Sequence, residues 1–100
     1  MDTLKEITYQ VVSGYAGEGL NGISYLTQNA DGTVLTVTDF AQVQGKHITG
    51  ISLVVRLIGN FVVIERDQND KPLVDALLEA GILRSQIVLA YAGEPAPEAL

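Results

Sequence analysis

Hydrophobic positions repeat with a helical period at the start of the chain and alternate with polar ones through its middle. Leu4, Ile7, Val11 and Tyr15 share one helical face, with Thr8 and Val12 beside them. Asp2 or Thr3 can cap this helix, and Glu6 stands three residues after Thr3, as a capping box requires. Gly14, Gly17 and Gly19 end it, and residues 14–19 read as a flexible connector. Residues 23–27 then predict a strand, and Asn29-Ala30-Asp31-Gly32 a turn. From Val34 to Phe40 apolar residues alternate with threonine and aspartate, the mark of a half-buried strand. Gln44-Gly45-Lys46 reads as a loop, residues 48–58 as a long β-branched strand, and Gly59-Asn60 as a two-residue reversal into residues 61–66.

After the acidic turn 67–70, Pro72 suits the first turn of a second helix. Leu73, Leu77 and Ala80 line its face, and Gly81 takes the left-handed position after its end, with Ile82 folding back on Leu77. Residues 87–91 form a last strand, apolar on both faces as a strand inside a sheet is. The fold class is therefore α+β: an N-terminal helix, an antiparallel four-stranded meander, a short helix and a final strand in the same sheet. Residues 1–93 make one domain, and residues 94–100 a flexible acidic tail.

Two short helices cover about one face of such a sheet. The long strand places Ile51, Leu53, Val55 and Leu57 on one side and Ser52, Val54, Arg56 and Ile58 on the other. Its hairpin partner alternates Phe61 and Val63 with Val62 and Ile64. Neither face is cleanly polar. Either the sheet curls to bury both faces, or one face meets a partner, as a homodimer (a homo-oligomer) or in a permanent complex with another protein. Val54, Arg56, Ile58, Val62 and Ile64 are the interface candidates on the second reading.

Composition narrows the function classes. The chain has 100 residues and a formal net charge of −6. Its six Lys and Arg, at positions 5, 46, 56, 66, 71 and 84, do not cluster. Phosphate backbones call for a basic patch, so direct nucleic-acid binding is not expected. Cysteine is absent, which excludes disulfides and thiolate metal sites. No apolar run reaches bilayer length and the first residues do not form a signal peptide, so a cytoplasmic location is the expectation, with no membrane partner.

Candidate chemistry is sparse. His47 is the only histidine and lies in a Gly-Lys-His loop, without a nucleophile motif elsewhere in the chain. Asp67, Asn69 and Asp70 evoke a calcium loop, but its central Gly and closing Glu are missing, and helix capping accounts for the run. Glu65 and Asp67 as an acid–base pair lack any sign of a cleft. The glycines at 14, 17 and 19 follow a helix and precede a strand, the reverse of a phosphate loop. No catalytic residue, cofactor site or metal site is assigned, and the chain is expected not to be an enzyme.

Residues 59–91 carry a resemblance. Gly59 to Asp67 is a hairpin strand closing on acidic residues. It is followed by a helix ending Leu77-Leu78-Glu79-Ala80-Gly81-Ile82 and by Ile87-Val88-Leu89-Ala90-Tyr91. This is similar to the C-terminal half of the XisI family, the fdxN element excision controlling factors of cyanobacteria. The chain departs from that family's pattern in lacking its Gly-Trp and its His-Pro tail, so it resembles a divergent member. The resemblance implies an accessory protein that binds a DNA-handling partner, an XisH-like protein or a site-specific recombinase, in programmed excision of a DNA element. Two rival expectations are an antidote-like acidic binder of a nuclease and a small-ligand-binding module built on the glycine-rich connector.

Overall fold

The computed structural model describes residues 3–97. Helix α1 (Leu4–Ser13) starts where Thr3 accepts the Glu6 amide at 3.1 Å. Asp2, the other candidate cap, lies outside the described residues. The centre of the buried face is Thr8 and Val12, both fully inaccessible, with Leu4, Ile7, Val11 and Tyr15 half-buried around them. The Thr8 hydroxyl has no hydrogen-bond partner. Desolvating a hydroxyl without compensation costs about 1–3 kcal/mol, so Thr8→Val is expected to raise stability by about 1 kcal/mol in urea unfolding. An unchanged or lower midpoint would mean that the hydroxyl is solvated.

Five consecutive antiparallel strands follow: β1 (Gly17–Glu18), β2 (Gly22–Gln28), β3 (Val34–Val43), β4 (Lys46–Ile58) and β5 (Phe61–Asp67). Helix α2 (Leu73–Glu79) crosses back, and β6 (Ile87–Leu89) joins β5 in parallel. The sheet thus has six strands in the order β1 to β6 and is mixed, not a four-stranded antiparallel meander with an added strand. The glycine-rich connector is not all loop, because Gly17 and Glu18 pair with Ser24 and Ile23. The last strand sits at the sheet edge rather than inside it and stops at Leu89, where a 3₁₀ turn (Ala90–Ala92) takes over. Its apolar residues are covered from one side by the helix layer: Ile87 is buried and Leu89 packs against the core.

Tight turns set the register. Asn29 closes β2–β3 by accepting the amides of Thr33 at 2.8 Å and Val34 at 3.0 Å. Gln44 and Gly45 both adopt positive φ, +52° and +79°, so the expected loop is a two-residue turn and β3–β4 continues to Val43–Lys46. The α2 ending is as expected: Gly81 has φ +96° and the Ile82 amide donates to the Leu77 carbonyl at 3.1 Å.

Both helices lie on one face. Val12, Leu73 and Leu77 pack onto Leu35, Val37, Leu53, Val55, Val62 and Ile64, with Ile82 and Ile87 closing the rim. The far end of the β3–β4 hairpin runs clear of this layer, and every residue from Gln42 to Ile51 is exposed. Beyond β6 the chain turns back: the Glu94 carboxylate accepts from the Leu89 amide at 2.7 Å and from Arg84 at 2.9 Å. These bonds, the backbone one first, hold the Glu94 carboxyl below its ordinary range.

Candidate functional surfaces

Cross-strand neighbours in an antiparallel pair point to the same face. Ile58 opposes Phe61 across Gly59-Asn60, so Leu57 opposes Val62, Arg56 opposes Val63 and Val55 opposes Ile64. Val62 and Ile64 therefore belong to the core face and are fully inaccessible. Grouping them with Val54, Arg56 and Ile58 is a register error, corrected by the two-residue turn. Val54, Arg56 and Ile58 do lie on the outer face, each half-buried. Arg56 pairs there with Glu65, its Nε 2.8 Å from the carboxylate. That contact, and the capping role of Asp67 described below, send Glu65 and Asp67 to different partners.

Two bulges re-aim the strands. Val37 opposes Leu53 but Thr38 opposes Ile51, leaving Ser52 as the extra residue of β4. Ile51 is thereby moved off the core face expected for it and onto the outer one, beside Thr38 and Val54. Val54 opposes Arg66 and Val55 opposes Ile64, leaving Glu65 extra in β5. The Arg66 guanidinium donates to the Ile51 carbonyl at 2.7 Å and holds the bent strand.

The consequence is an exposed apolar patch at the arm end of the outer face. Tyr25 and Phe40 meet edge to face with ring centres 5.8 Å apart. They are 51% and 44% exposed, and Ile51 is 44% exposed. A shallow concavity of about 500 Å³ lies alongside, lined by Thr38, Thr49, Gly50, Ile51, Val54 and Arg66. Of the residues expected at an interface, Val54 borders this patch, whereas Arg56 and Ile58 lie toward the other end of the same face. His47 sits near the arm tip, exposed, opposite Gln42.

The helix layer carries the opposite character. Tyr15 donates from its hydroxyl to the Lys71 carbonyl at 3.0 Å. Its phenol is pushed up from 10.0 by burial first, then by the negative charges of Asp67, Asp75 and Glu79. Three carboxylates thus act on one point of this surface. Asp70, Asp75 and Glu79 are exposed, and Glu79 is paired with Lys71 at the rim. The connector forms a further open hollow of about 440 Å³ between residues 14–19 and Phe40. Asp67 does not act as a metal ligand would: its carboxylate accepts the amides of Leu73 at 2.6 Å and Asn69 at 3.1 Å.

A bulged mixed sheet with two helices on one face makes this chain a small α+β protein. The match to the XisI protein family spans residues 26–98, and the chain belongs to that family. Two solved structures share the fold. One is a XisI-like protein from Anabaena variabilis, 15% identical, covering 94% of this chain and 86% of that one with a TM-score of 0.72. The other is the fdxN element excision controlling factor XisI of the same organism, 18% identical, covering 96% and 86% with a TM-score of 0.55. None of the curated proteins compared with this chain matches it. Among the described residues no helix is long and apolar enough to cross a membrane.

Proposed function

We propose that this chain is a non-enzymatic accessory protein that docks on a basic, DNA-handling protein and thereby controls excision of a DNA element. Family membership supplies the context, since one structural relative is named an excision controlling factor. The observation that carries the docking mode is the acidic side of α2, where Asp70, Asp75 and Glu79 are exposed; Asp75 and Glu79, with Asp67, also push the Tyr15 phenol up. Such a field attracts a positively charged partner and disfavours phosphate. An XisH-like protein or a site-specific recombinase is the partner of matching chemistry.

Co-expression with an XisH-like protein tests this reading, followed by sizing with light scattering. The two chains are expected to co-elute in a fixed ratio. Asp75→Lys combined with Glu79→Lys is expected to weaken the complex at least about tenfold, because rim charges of this kind govern encounter and orientation. Separate elution, or a complex indifferent to both charge reversal and salt, defeats the proposal. Toxicity of the partner alone, relieved by this chain, would instead mark an antidote.

A further inference from the structure

The outer sheet face is covered over β5, where Val63 is fully inaccessible, but at its arm end it is apolar and exposed. We infer that this face, centred on Tyr25, Phe40 and Ile51, is the contact between two copies of the chain.

Surface area is the first argument. A compact monomer of 10.7 kDa is expected to expose about 5,500 Å², whereas this chain exposes 6269 Å². The excess is roughly 750 Å², close to the about 800 Å² that each partner contributes to a standard interface. The radius of gyration agrees, at 14.0 Å against about 13 Å for a compact chain of this length. The β3–β4 arm is a place where a lone chain leaves surface uncovered, since residues 42–51 are all exposed.

Charge is the second argument, and it selects the occupant. Two copies of a chain with net charge −6 repel unless they meet where carboxylates are few. On the outer face of the central strands β3 to β5, the carboxylate among the described residues is Glu65, and Arg56 neutralises it. Glu18 stands apart on the edge strand β1. Asp39 points to the other face, where the Ser24 hydroxyl donates to it, and Asp70, Asp75 and Glu79 lie on and beside α2. The patch itself is Thr36, Thr38, Thr49, Ile51, Val54 and the two rings, with Arg66 at its border held on the Ile51 carbonyl, a surface that can face its own image without opposing carboxylates. A two-fold interface requires such self-complementarity. A strongly basic partner finds nothing to pair with here, and belongs on the helix layer.

Packed face to face, two such sheets form a sandwich about 10 Å thick, with the twist of each sheet setting the angle between them. Tyr25 and Phe40 of each copy then fill the space beside Ile51 and Val54 of the other, the aromatic anchoring typical of interface centres.

The test uses the chain alone, so its outcome is independent of the partner proposed above. Sedimentation equilibrium near about 100 µM, above the dissociation constant of an ordinary standard-size interface, is expected to give twice the 10.7 kDa of one chain. Ile51→Glu and Phe40→Glu each place two carboxylates in the interface and are expected to weaken the dimer about 100-fold. Both positions are exposed in the single chain, and circular dichroism checks that the variants fold. Leu83→Glu, at an exposed site away from this face, is expected to leave the dimer intact. Hydrogen exchange on the unmodified chain supplies a readout that needs no variant: amides of 49–54 should exchange more slowly as concentration rises. A monomer at 100 µM, a dimer that survives both face variants, dissociation by Leu83→Glu alone, or exchange independent of concentration would each overturn the assignment.

Discussion

Ile64→Ala is expected to lower the unfolding free energy by about 3 kcal/mol, whereas Val54→Ala costs about 1 kcal/mol or less. The two residues lie one bulge apart on neighbouring strands, and simple alternation puts them on the same face. In the structure Ile64 opposes Val55, is fully inaccessible and packs with Leu73 and Leu77. Truncating it leaves a void between sheet and α2 that neither can close, because α2 is tied to β5 at its start and to Ile82 at its end. Val54 opposes Arg66 on the open side and is only half-buried. In the dissociated chain, at concentrations below dimerisation, its truncation removes contacts next to water and creates no enclosed cavity. Urea unfolding of the two variants measures the difference directly. Equal losses would mean that the Gly59-Asn60 turn does not set the register described, and that the outer face has been misassigned.

That comparison also shows what the sequence could and could not convey. The helix caps, the Asn29 turn and the Gly81 ending were legible because each is a local device with its own residue types. The face assignment of Val62 and Ile64 was legible too, from the two-residue turn, since Ile58 opposite Phe61 forces Leu57 opposite Val62. Applying strict alternation without the turn missed it. The bulges at Ser52 and Glu65 left no such mark. Neither is a glycine, and a bulge is decided by how neighbouring strands twist together. They determine where Ile51 points, so the exposed patch of Tyr25, Phe40 and Ile51 was out of reach. The edge pairing of β1 was hidden for a related reason: two residues in a glycine-rich segment carry no periodicity. The parallel docking of β6 follows from the α2 crossover, which no local pattern encodes. The convergence of acids on Tyr15 joins residues 52, 60 and 64 positions away from it and is likewise a product of the fold.

Asp67→Ala is expected to destabilise the protein by about 2 kcal/mol, at the upper end of the range for losing a helix cap. Helix α2 has seven residues, too few to persist without tertiary support, and its own cap position is Pro72, which makes no side-chain bond. The cap comes instead from the end of β5. Asp67 accepts the first helical amide, Leu73, at 2.6 Å, and binds Asn69 through both backbone and side-chain amides. One carboxylate thereby closes the turn and orients the helix, and Leu73 and Leu77 enter the core only in that orientation. Charge strengthens these bonds, so Asp67→Asn, which keeps an acceptor, should recover part of the loss. The same substitutions remove one of the three charges acting on Tyr15. A neighbouring anion raises a phenol, so its removal must bring the Tyr15 titration down toward 10.0 in both variants. Stability and titration therefore separate two roles. If Asp67→Asn lowers the Tyr15 pKa while retaining much of the stability, the charge contributes to the field and the oxygen to the fold. If Asp67→Ala leaves stability unchanged, α2 is held by its packing alone, and the acidic surface loses its structural anchor at this residue.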